Sequence, residues 1–343
     1  MIARLALALC LVAACSKKAE KPSGPPPEIT GLAAVPSNAE GLIGVDVGRV
    51  ADSAIVQRMV EQMLSRDPTL AAGWAKLREG CKLEFTTQVR RVMLAIGPSP
   101  DGKVGTGPVL MIATGSIPEA EFSACVGKLV GKGNGAVTGA PKDGRTLYQV
   151  KDGARTMFFA FGRADTVVLG SNDAYVLEAL GPGKKALDHP ELAAWIRYAD
   201  QNAPIWAVGR LSEKLRTGLV AAMDNKIKAG PAAVTASVDP SNGLNIQVNA
   251  IMATPADAKQ LESLLTTQKG LIGIAAQIKS LGPLVDRVKI VAERNVLHLR
   301  APLSMDDVNH LLSVLDGPKP AQQDSPPPHP SPAGSGAGSA TPQ

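Results

Sequence analysis

Rings are scarce in this sequence. Five Phe, three Tyr and three Trp make up 3% of 343 residues. A core must therefore come from Ala, Val, Leu, Ile and Met, which fill space in defined rotamers. Flat surfaces on which bases could stack are missing, which excludes single-stranded nucleic-acid binding and counts against sugar binding. Concentrated charge is also missing. The 36 basic and 31 acidic residues are scattered along the chain, and their balance of +5 focuses no field on phosphates. Nucleic acid is not an expected partner.

The usual signatures of catalysis are absent too. There is no G-x-S-x-G elbow for a serine nucleophile. Gly131-Lys132-Gly133-Asn134-Gly135 and Gly181-Pro182-Gly183-Lys184-Lys185 lack the phosphate-loop spacing, and both follow helical patterns rather than strands. His189, His298, His310 and His329 do not cluster, and each is read as a surface residue. Asp306-Asp307 follows Ser304 and suits the first turn of a capped helix. Cys81 and Cys125 lack paired zinc-ligand spacing. The expectation is no enzyme, no cofactor and no metal.

What is present begins at the amino terminus. Arg4 and the apolar run Leu5 to Val12 form a short export signal. The run is far below the ~20 residues a membrane span needs, and it turns polar at Ser16-Lys17-Lys18. Leu11-Val12-Ala13-Ala14-Cys15 places an aliphatic residue and two small ones before a cysteine. This segment resembles the bacterial lipobox. Cys10 fits that pattern badly, since Leu9 would take the small-residue position. The resemblance implies cleavage between Ala14 and Cys15, acyl chains on Cys15, and attachment to a membrane facing an extracytoplasmic compartment. Ser16 after the cysteine resembles outer-membrane sorting, with the body facing the periplasm or the cell surface. Each buried methylene contributes about 0.8 kcal/mol, so two or three chains hold almost permanently.

The organisation follows from composition. Residues 1–14 are the signal, and 15–30, rich in Lys and Pro, are a flexible tether. Hydrophobic residues at 45% and charged ones at 20% give the rest a globular balance. Residues 317–343, mostly Pro, Ser, Gly and Ala with almost no apolar bulk, are read as a disordered tail. Between them come strands at 89–96 and 109–114, then a helix after Ser116-Ile117-Pro118-Glu119 with Phe122, Cys125, Val126, Leu129 and Val130 on one face. Strands at 146–150 and 156–161, joined as a hairpin by Asp152-Gly153, a strand at 166–169 and a helix after Asn172 follow. The order recurs as 244–252, a helix after Thr254, strands at 288–291 and 296–299, and a helix after Ser304. The expected fold is α+β: two related units, 31–185 and 186–316, of mostly antiparallel sheet with helices on one face. The pattern is similar to exported bacterial proteins built from such α+β repeats, a likeness that implies no activity.

Two functions are expected of the body. One is a non-catalytic domain that binds or organises an envelope protein or cell-wall component. The other is a carrier for a lipid or other apolar ligand, with Met59, Met63, Leu261, Leu264 and Leu265 as candidate lining. Cys81 and Cys125 could form a disulfide in an oxidising compartment, or stay as two separate thiols. Metabolic labelling with a palmitate analogue should mark the wild-type protein and not Cys15→Ala. A freely soluble, unlabelled wild type would remove the anchor from this account.

Overall fold

A computed structural model describes residues 31–81, 85–100, 106–131, 133–277 and 281–316. The signal, the tether, Cys15, the tail and His329 lie outside the described residues. Twelve strands form one antiparallel sheet. Within it β1 (Gly41–Asp46) and β8 (Ile205–Arg210) pair from Gly41↔Gly209 to Val45↔Ile205, a seam with seven strands on the β1 side and five on the β8 side.

The chain builds outwards from this seam twice. In the first pass, β1 leads through α1 (Val47–Ala51), α2 (Ala54–Arg66), α3 (Pro68–Gly80) and α4 (Phe85–Gln88) to the hairpin β2 (Val89–Ile96) and β3 (Val109–Gly115). Next come α5 (Glu119–Gly131), β4 (Ala136–Lys142), β5 (Arg145–Asp152), β6 (Arg155–Arg163), β7 (Thr166–Gly170) and α6 (Asp173–Leu180). After α7 (Pro190–Ile196), β8 leads through α8 (Glu213–Ala222) to β9 (Ala233–Asp239) and β10 (Leu244–Ile251). Then follow α9 (Pro255–Gln277), α10 (Gly282–Arg287), β11 (Lys289–Glu293), β12 (Val296–Leu303) and α11 (Met305–Asp316). Counted from the seam, the orders β1-β2-β3-β7-β6 and β8-β9-β10-β12-β11 correspond, and the hairpin β4–β5 is an addition at one edge.

Local chemistry explains many boundaries. Asn172 accepts from Tyr175 N at 3.0 Å to open α6. Thr254 does the same for Asp257 N at 3.2 Å before α9. Ser304 and Asp307 cap one another's backbone amides at 3.2 and 2.7 Å, a reciprocal capping box at the start of α11. Asp143 and Gly144, both at positive φ, make the two-residue turn between β4 and β5. At the seam, Gly44 lies beneath the Trp206 ring, where any Cβ would collide.

The α+β class and the antiparallel pairing are as expected, but helices cover both faces of the sheet instead of one. Val168, Ala160, Ile112 and Leu110 pack under α6 and α7 together with Tyr175, Val176, Leu192 and Ile196. Their strand neighbours Val167, Phe159, Phe161 and Ala113 pack on the opposite face with Phe122 and Cys125 of α5. Successive residues point to opposite sides of a strand, and β7 is buried on both sides, reading Thr166, Val167 and Val168 as buried in a row. A strand covered on both faces loses the apolar–polar alternation of one packed on a single side.

Several carboxylates help hold the second repeat. Glu262 on α9 sits below the usual carboxylate range because Lys259, at 2.8 Å, and the Ala292 amide, at 3.0 Å, hydrogen-bond its charged form. Asp307 is lowered by Ser304, with Arg287 at 3.0 Å adding to it. Such depressed groups stabilise the fold above the unfolded carboxylate range, and that contribution is lost as pH falls through their folded values. Urea midpoints should therefore decline between about pH 5 and about pH 2, and Glu262→Gln should show a shallower decline. An identical pH dependence in the variant would contradict this assignment.

Candidate functional site

One face of the first repeat carries an apolar cleft of about 440 Å³. Register builds its floor. Val92 pairs with Ala113, Ala113 with Val167, and Met111 with Leu169, so these side chains from β2, β3 and β7 stand on one face. The wall comes from α5, where Phe122, Cys125, Val126 and Leu129 recur at helical spacing and line the opening. Trp74 of α3 and Val47 of α1 stand at its other sides. Thr86 and Gln88 are the two polar residues of the lining.

A covalent link holds this wall. Cys81, just after α3, forms a disulfide with Cys125 of α5, with Cα atoms 5.0 Å apart. The alternative that the sequence left open is thus settled in the structure, and the bond does more than add to a core. It ties two helices that flank the same cleft. Behind it lie four of the chain's eleven aromatic rings. Phe122 meets Phe159 edge-on at 5.2 Å and Phe161 at 6.0 Å, while Tyr148 stacks on Phe159 at 4.5 Å. The Tyr148 hydroxyl donates to Glu119 at 2.9 Å, and burial, followed by that carboxylate, raises its pKa. These rings stiffen one end of the cleft.

Gln88 marks the junction between α4 and β2. Its side-chain oxygen is buried and has no hydrogen-bond partner. A buried acceptor left unpaired costs about 1–3 kcal/mol. Gly115, opposite Val89, is needed here because a Cβ would strike the Gln88 backbone carbonyl. The β2–β3 register shifts between Val89 and Arg91, a bulge with Arg90 as the extra residue. Beside it a polar pocket of about 500 Å³ is lined by Asp46, Thr86, Thr87, Arg90, Arg91 and Thr114, among others.

Other candidates from the sequence lie elsewhere. Leu261 is buried with Ile227, Met252 and Leu297, and Leu264 and Leu265 pack against that cluster. They close a core. Met59 and Met63 on α2 are 47% and 56% exposed. Nor are all the histidines plain surface groups. His298 lies across from Asn249 at 2.8 Å, in a buried network with Thr235 and the Tyr198 carbonyl. His189 accepts from Leu192 N at 3.3 Å and caps α7, while His310 is exposed. The stripe Phe122-Cys125-Val126-Leu129 was legible in the sequence. Its partners across β2, β3 and β7 were not, because only register brings them together.

Comparison with known protein families finds no match, and none is found among curated proteins. Among solved structures, crystal form I of TP0453 overlaps with a TM-score of 0.45 at 12% identity, covering 84% of this chain and 98% of that one. No helix among the described residues is long and apolar enough to cross a membrane, and no group of three or more His, Cys, Asp or Glu among them could hold a metal.

The disulfide is the testable brace of the site. In a chain-entropy treatment, closing a loop of 44 residues' separation contributes about 4 kcal/mol. A Cys81→Ser/Cys125→Ser variant should lose roughly that much in urea unfolding. A loss below about 1 kcal/mol would mean that the bond constrains little in the unfolded chain.

Proposed function

We propose that this chain is a membrane-tethered, non-catalytic binding protein whose body takes up the hydrocarbon part of a lipid. The observation that carries this reading is the apolar cleft, in which Val92, Met111, Val126, Leu129 and Leu169 are only partly buried and Trp74 is exposed. Well-packed interiors leave few such voids, and ligand sites are typically apolar concavities of ~300–1,000 Å³ with few polar groups. At 440 Å³ the cleft has roughly three times the ~150 Å³ that accommodates benzene. That is room for a chain on the order of a dozen to eighteen carbons. The Cys15 acyl anchor and the 15–30 tether would keep the cleft beside a membrane that supplies such chains.

Magnitudes favour reversible uptake. Ten buried methylenes supply about 8 kcal/mol, while association costs at least about 4 kcal/mol. The balance suits a carrier better than a permanent cofactor. A second reading, that the body docks another envelope component, draws on α2, where Met59, Val60 and Met63 are about half exposed. Crosslinking in intact cells would recover that partner.

Native mass spectrometry of the full chain carrying Cys15→Ala should show a lipid adduct after gentle purification, or uptake of added dodecanol. Val126→Trp, filling the cleft from α5, should weaken uptake about tenfold or more with little change in melting temperature. A clean apo mass with no uptake at any concentration below micelle formation would sink the proposal.

A further inference from the structure

The structure points to an anionic head on the molecule that the cleft takes: we infer that its ligand is a single-chain amphiphile whose phosphate or carboxylate is held by Arg90 and Arg91. This rests on the reading of the cleft as a hydrocarbon site. The polar pocket is not a separate feature, because Thr86 and Val89 line both it and the cleft. Arg91 and Thr114, next to the floor residues Val92 and Ala113 in their strands, stand on the opposite face of the sheet. The pocket therefore lies at the strand ends, and the surface runs round that end from apolar side chains to hydroxyls and guanidinium groups, the profile of an amphiphile.

The bulge makes the charged end. In a regular strand, consecutive residues point to opposite faces, so an Arg-Arg pair would be divided. The register shift between Val89 and Arg91 instead leaves both Arg90 and Arg91 on the wall of one pocket. Arg91 makes no ion pair among the described residues. Arg90 reaches Asp165 only at 4.0 Å, and that carboxylate is held closer, at 3.3 Å, by Arg163. Asp46 is the carboxylate in the pocket lining, and its oxygen is engaged by the Arg49 amide at the start of α1. Two guanidinium groups thus face one committed carboxylate, and guanidinium forks suit phosphate and carboxylate oxygens. The unpartnered Gln88 oxygen adds an acceptor in the cleft wall nearby. A hydroxyl or amide N–H next to the ligand's head would satisfy it.

The test is calorimetric titration of the full chain carrying Cys15→Ala with dodecyl phosphate, dodecanol and dodecyltrimethylammonium, each below its micelle concentration, and with inorganic phosphate. Dodecyl phosphate should bind about tenfold tighter than dodecanol, with the cationic probe weakest and inorganic phosphate weaker than dodecyl phosphate. Arg90→Gln/Arg91→Gln should remove the preference while leaving dodecanol affinity unchanged, and Arg90→Lys/Arg91→Lys should restore part of it. Equal affinity for the phosphate and the alcohol, or a preference that survives the Gln variant, would overturn the head assignment and leave the cleft standing. Inorganic phosphate binding as tightly as dodecyl phosphate would overturn it too, revealing a plain anion site. Binding of no chain-bearing probe would overturn the cleft reading itself.

Discussion

Five residues of β1, Gly41 to Val45, pair with Gly209 to Ile205 of β8, and this ladder joins two strand sets of like order into one sheet. Side-chain alternation carries a single face across all twelve strands once the ladder is in register. A shift of one residue at the seam would turn Leu42 and Val208, both buried, to the other side. Gly44 allows the Trp206 ring to lie on the seam, so the position of a large ring depends on a residue with no side chain. The two repeats thus share one partition of apolar surface.

They use that partition differently. In the second repeat, the 23-residue α9 lays Ala258, Leu261, Leu264 and Leu265 over β11 and β12 and closes a core. In the first, the 13-residue α5 covers β6 and β7 with Phe122 and Cys125 and leaves Val92 of β2 and Met111 of β3 only partly buried beside it. The disulfide sets α3 against α5 at the edge of that opening. A shorter roof and a covalent brace together frame the cleft. The cleft ends where a bulge in β2 brings two arginines to the same pocket, which is why the apolar and cationic surfaces meet.

Much of the secondary structure was legible in single stretches of sequence. The strand 89–96, the helices after Asn172, Thr254 and Ser304, and the Asp152-Gly153 hairpin are where periodicity and caps put them. Strand β4 was missed, since Gly139 and Pro141 argue against a strand and an edge position tolerates them. The stripe on α5 was visible, but as a helix face with no known partner. Met59, Met63 and the α9 leucines have the same local pattern as the true lining residues, and nothing local separates a helix face over a cleft from one over a core.

The sequence by itself determined the α+β class, the recurring order of elements and the lack of a recognisable catalytic motif, because capping, turn chemistry and periodicity act over a few residues. It also carried the lipobox-like segment, a linear signal read in extended chain. Only the tertiary structure decided that both faces of the sheet are covered, that Cys81 meets Cys125, and that Val92, Met111, Ala113 and Leu169 share an open floor with Phe122 and Leu129. Those relations span from 21 residues, as between Val92 and Ala113 in the β2–β3 pair, to more than 150 across the β1–β8 seam. They are set by strand register and by which helix reaches which strand, and no local interaction specifies either.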